Sequence, residues 1–113
     1  KAASVIADVV VSDTTVSALV RNLPKDPIAL PADLPPVVPL QVNDESGAPT
    51  IVLSRGPKSS DASAPVLLLM TDEQAPNSVG ARLMILGMSI TWLPAEVGGQ
   101  LVTNMSDYML KDQ

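Results

Sequence analysis

The chain has 113 residues, with seven Lys and Arg against twelve Asp and Glu for a net charge of −5, and it contains neither Cys nor His. A chain of this length makes one domain (1–113) that buries about two-thirds of its unfolded surface. The missing residue types exclude disulfides, thiolate zinc sites, cysteine nucleophiles and the commonest general base. The acidic charge is spread along the chain and repels a phosphate backbone, and no apolar run reaches the roughly eighteen residues of a membrane span, so neither nucleic acid nor membrane is an expected partner.

Residues 4–12, SVIADVVVS, alternate so that Val5, Ala7, Val9 and Val11 share one face, the period of a strand. The other face, Ser4, Ile6, Asp8 and Val10, is only partly wet. In 14–23, Val16, Leu19, Val20 and Leu23 recur at helical spacing behind a potential cap, Asp13. The spacing predicts a short helix ended by Pro24, although the Thr and Val content also fits a strand.

Residues 24–39, PKDPIALPADLPPVVP, hold six of the eleven prolines, interleaved with Ile28, Leu30, Leu34, Val37 and Val38. Proline fixes φ and lacks a backbone donor, so this stretch is neither a helix interior nor a central strand. Without Gly or Ser it is no flexible linker, and its apolar side chains lose free energy in water. It reads as a stiff extended arm made to lie on a surface, either its own domain or a neighbour.

Leu40 to Val42 and Thr50 to Leu53 flank the turn-rich NDESGAP and predict a hairpin with a long connection. Residues 54–64, SRGPKSSDASA, have no large apolar side chain and read as an exposed, mobile loop. PVLLLM at 65–70 is a continuous apolar run of the buried-strand type, and TDEQAPNS follows as a loop. Residues 80–93 alternate through Met84, Leu86, Met88, Ile90 and Trp92, predicting a long strand that ends at Pro94, with Gly87 marking a bulge or a close backbone approach. Trp92 is expected to be mostly buried, closing an otherwise aliphatic core. Residues 100–110 place Leu101, Val102, Met105, Tyr108 and Met109 on one helical face and predict a terminal helix, with a last strand as the alternative.

The chemistry-bearing patterns are few. No phosphate-binding loop, dinucleotide fingerprint or nucleophile elbow is present. Lys58 beside several serines gives a Ser–Lys dyad on paper, but a polar loop does not desolvate the amine to lower its pKa. Asp44 with Glu45 and Asp72 with Glu73 are hard oxygen donors without the alternating spacing of a calcium loop. Arg21 to Pro27, RNLPKDP, matches a short polyproline-ligand pattern. Asn104-Met105-Ser106 is a glycosylation sequon, and Met84, Met88 and Met105 are read as core filler in a chain without Phe. No catalytic, metal or cofactor-binding residues are assigned, and no enzyme is expected.

Together these features predict a mainly β fold, a small antiparallel β-sandwich or jelly-roll-like domain with an extended Pro-rich arm and one or two short helices. The expected function is a structural subunit of a symmetric assembly, a virion shell (capsid or decoration) protein, located in the virion. Its partners are protein subunits, met through the arm residues Ile28, Leu30, Leu34, Val37 and Val38. A start at Lys1 fits this reading as a processing site, and it fits equally a boundary within a longer chain. The alternative is a secreted or surface-attached binding module with loops 43–49, 54–64 and 71–79 as its recognition end.

Overall fold

A computed structural model of the chain describes residues 2–12, 17–42, 49–70 and 83–110. In chain order they form β1 (Asp8–Val11), α1 (Ser17–Val20), β2 (Ile28–Ala29), β3 (Thr50–Arg55), β4 (Pro65–Met70), β5 (Leu83–Leu86), a 3₁₀ turn (Ile90–Trp92) and α2 (Ala95–Leu110). The strands make one five-stranded antiparallel sheet in the order β2-β1-β3-β4-β5. Two register shifts between β3 and β4, around Val52 and Val66, offset one another. Each is the local cost of an extra residue on one strand, and each adds twist.

Directly paired residues share a sheet face. One face carries Ile28, Val9 and Arg55 in one row, Val11, Leu53, Leu67 and Leu86 in the next, then Thr50, Leu69 and Met84. Most of these are buried, and the apolar ones join Leu19 of α1, Leu93 at the end of the 3₁₀ turn and Leu101 of α2 in a single cluster. The opposite face is divided. At the β1–β3 end it carries the buried polar residues Asp8 and Ser54, whereas at the β5 end Leu83 and Ile85 lie open.

α2 is held by pattern and by its start. Gly98, Leu101 and Asn104 are its buried residues, with Val97, Met105 and Tyr108 partly buried beside them, one stripe at helical spacing. It begins just after Pro94, whose carbonyl accepts from the Gly98 N–H at 2.8 Å, and Glu96 in the first turn complements the dipole.

Several expectations need correction. Residues 40–42 form no strand, because both edges of β3 are taken by β1 and β4, so the hairpin to 50–53 does not exist. The strand expected over 80–93 stops at Leu86. Gly87 lies against Leu40, where a Cβ would meet Leu40 Cγ at 2.8 Å, and Ser89 then caps the 3₁₀ turn by accepting from the Thr91 N–H. Trp92 therefore sits in that turn, half-buried, rather than sealing a strand face. The terminal helix starts five residues earlier than the spacing suggested, and Val102 faces outward. Ser54 and Arg55 belong to β3 and are buried, so only the segment after Gly56 is an exposed loop.

Candidate functional site

The most organised polar region lies where the β3–β4 loop meets the N-terminal segment. Asp8 is buried, and its carboxylate accepts from the Lys58 N–H at 3.2 Å and from Ser59 Oγ at 3.0 Å. Ser59 Oγ in turn accepts from the N–H groups of Ala7 and Asp8, at 2.9 and 3.1 Å. The backbone closes around the same point through Gly56 N–H to the Asp8 carbonyl at 2.8 Å and Ser60 N–H to the Val5 carbonyl at 3.0 Å. Only glycine fits at 56, since a Cβ there would stand 2.5 Å from the Asp8 Cγ. A buried carboxylate is costly unless it is satisfied by donors, and this one has them.

Arg55 supplies the second fastening. It is 1% exposed, and its Nη1 donates to Ser4 Oγ at 2.7 Å and to the Ser60 carbonyl at 3.0 Å, while Nη2 donates to the Val37 carbonyl at 3.1 Å. Ser4 passes the interaction on, donating to Asp61 Oδ2 at 2.5 Å. Burial pushes the guanidinium pKa down from its ordinary value, and the charge of Asp61 opposes that shift. Nε is buried without a hydrogen-bond partner. One side chain thus ties the N-terminal segment, the arm and the loop at a single point.

A third fastening joins the two helices. Asn104 is wholly buried, and its Nδ2 donates to the Leu19 carbonyl at 3.1 Å and the Arg21 carbonyl at 2.8 Å. Its Oδ1 accepts from Gln100 Nε2 at 2.8 Å and from Arg21 Nη2 at 3.3 Å. Asn22, at φ 62°, ends α1 in the left-handed conformation, and the carbonyls that this end leaves unpaired are those Asn104 satisfies. The sequon is therefore structural: the nitrogen a glycan would need is the one holding α1.

The other sequence candidates separate. Lys58 is exposed while Ser59 Oγ is engaged with the backbone and Asp8, so the loop builds no desolvated Ser–Lys pair. The polyproline pattern is broken at Asn22, and Arg21 is turned onto Asp107 at 3.2 Å. Asp44, Glu45, Asp72 and Glu73 lie outside the described residues, as does most of the loops at 43–49 and 71–79. Among the described residues no cluster of acidic side chains could hold a metal, and no helix is long and apolar enough to cross a membrane.

The arm residues lie mostly on the chain's own body. Ile28 is buried in β2; Leu30 and Val37 pack against the core, Leu34 is half-buried, and Val38 is 57% exposed. A further exposed apolar patch lies on β5. Leu83 is 52% exposed and Ile85 36%, and Leu83 lines a shallow open groove together with Met84, Met105, Met109 and Leu110. Sequence reasoning missed the fastening roles of Asp8, Arg55 and Asn104, the last noted only as a sequon. The available signal was an acid within an otherwise apolar strand run, which requires buried donors. No family model, curated protein or solved structure matches this chain.

Proposed function

We propose that the chain is a structural, non-catalytic subunit of a symmetric assembly, of the kind that forms or decorates a viral shell. The observation that carries this reading is the open apolar end of the sheet, where Leu83 and Ile85 are exposed on β5 and Leu83 shares a groove with Leu110 of α2. Leaving such side chains in water forgoes the free energy that burial against a neighbour supplies, and contiguous apolar exposure marks association surfaces. A sandwich or jelly-roll-like layout belongs to the same proposal: it is supported by the antiparallel pairing throughout and by β4, whose Val66 to Leu69 are buried on both faces as in a layered body. Val38 adds the exposed part of the arm to the surface available for contact.

Native mass spectrometry and sedimentation test this directly. A closed oligomer that dissociates when Leu83 and Ile85 are both replaced by Lys supports the reading; a monodisperse monomer at high concentration overturns it. A second reading, a binding module, is favoured by one observation: the loop after Gly56 is fixed by Asp8 and Arg55 while Pro57, Lys58 and Ser60 to Ser63 remain exposed. A preorganised loop on a rigid scaffold binds with less entropic loss, and a monomer that binds a partner only while Asp8 is intact would support that reading.

A further inference from the structure

The fold is clasped together from two consecutive pieces. Residues 2–30 carry β1, α1 and β2, and residues 37–110 carry β3, β4, β5 and α2. Each of the three polar fastenings crosses between them: Asp8 to Ser59, Arg55 to Ser4, and Asn104 to the carbonyls of Leu19 and Arg21. The connection between the pieces is the short run 31–36, PADLPP.

That run is bent against its own preference. β2 pairs beside β1 at Asp8↔Ala29, and pairing resumes at Ser4↔Val37, so the chain spends eight residues where its partner spends four. The excess is looped out, with Asp33 held at φ 67°, a region that Asp enters more readily than most residues but that still costs more than extended backbone. Pro31, Pro35 and Pro36 favour extended backbone instead. Straightening relieves the loop, and a straightened loop can no longer return residues 2–30 to their own chain. A short strained hinge between two halves that bind each other is the arrangement that invites exchange.

We infer that residues 2–30 exchange between two copies of this chain about a hinge at 31–36. In the exchanged pair every fastening is remade with the neighbour's residues, so the loop after Gly56 is completed by the neighbour's Asp8 and only the hinge changes conformation. Exchange rests on the reading of the chain as a self-assembling subunit, and it supplies that assembly with contacts already optimised within one chain.

The chain has no cysteine, which makes a disulfide trap clean. Val10 and Ser54 are direct partners across β1 and β3, and such pairs lie within the span of a disulfide. The Val10→Cys/Ser54→Cys protein is concentrated until native mass spectrometry shows oligomer, oxidised, and run on a denaturing gel without reductant. Exchange predicts a covalent dimer. Oligomer by native mass with only cross-linked monomer on the gel overturns exchange and leaves self-assembly standing. Monomer at every concentration overturns both. A second variant needs no cysteine and decides the matter if the first fails to fold: six Gly and Ser residues inserted between Ala32 and Asp33 let the hinge turn back without strain. The dimer fraction is then expected to fall by about ten-fold or more, and an unchanged fraction overturns the hinge.

Discussion

Replacing Asn104 tests whether the join between the two helices is polar, as its geometry requires. Asn104→Ala removes the donor for the Leu19 and Arg21 carbonyls and the acceptor for Gln100 and Arg21, at a position with no exposure to water. Each buried carbonyl left without a partner costs about 1–3 kcal/mol. Partial relaxation and some water entry reduce the sum, so about 3 kcal/mol is expected, and α1, four residues long, cannot hold its own end without help. Urea unfolding followed by the far-ultraviolet signal reads this directly. With a slope near ~1.5 kcal/mol per molar for a domain of this size, the midpoint should fall by about 2 M at unchanged slope.

The Asp variant separates hydrogen bonding from mere packing, because it keeps the shape of the side chain. Its carboxylate would face two carbonyls in a buried site, which raises the folded-state pKa above the unfolded value of about 3.9. A carboxyl with a raised folded pKa is least destabilising below the unfolded pKa, and the deficit grows as pH rises from there to the folded value. Asn104→Asp should thus be closer to wild type at pH 3 than at pH 7, once the wild type's own pH dependence is subtracted. A midpoint for Asn104→Ala within 0.3 M of wild type, a difference of about 0.5 kcal/mol, or an Asp deficit independent of pH, would refute the reasoning.

Three further outcomes follow from single contacts. Gly56→Ala drives a Cβ into the Asp8 carboxylate and should cost about 1–3 kcal/mol in the same unfolding assay; loss below 0.5 kcal/mol would mean that Asp8 moves freely. Gly99 sits inside α2 with nothing within 4 Å of an added Cβ, so Gly99→Ala should stabilise the monomer by about 1 kcal/mol and raise its melting temperature by several degrees, whereas a destabilised variant would expose a contact at that helix face. Expression in a glycosylating host should give a folded domain of unmodified mass, because Asn104 Nδ2 is committed to carbonyls; a glycosylated, natively folded product would contradict the buried position.

How much of this was legible in the sequence depends on whether the signal was local. PVLLLM reads as a strand and is β4 over the same residues, because an apolar run too short for a helix and opened by proline has few alternatives. The terminal helix was visible from its stripe, and the first strand from its alternation, although β1 is shorter than the pattern. Alternation failed over 80–93 because it does not register what another segment places against the backbone. Leu40 seats on Gly87 from a distance of 47 positions in the chain, and the strand ends there. The hairpin at 40–53 failed for a related reason: strand pairing is decided by competing partners, and β1 occupies the edge that 40–42 would need.

The candidate site was harder to read because its residues have opposite meanings before and after folding. Asp8 in an alternating strand looks like a wet position, and SRGPKSSDASA looks like a loop with nothing to hold it. Brought together, the acid supplies the acceptor that the loop's Lys58 N–H and Ser59 hydroxyl require, and Gly56 supplies the clearance. Each accounts for an otherwise costly feature of the other, which is why neither is interpretable alone. The same logic governs Arg55, whose charge is tolerable in the interior only because three segments aim oxygens at it. Such fastenings are specific in a way that apolar burial is not, since a side chain of similar hydrophobicity can replace Leu67 but no neutral residue can replace that fork. If residues 2–30 do pass between copies, these groups decide which surface accepts them: an apolar groove would admit many segments, whereas a seat built from Asp8, Ser59, Arg55 and Asn104 leaves buried polar groups unpaired against any other chain.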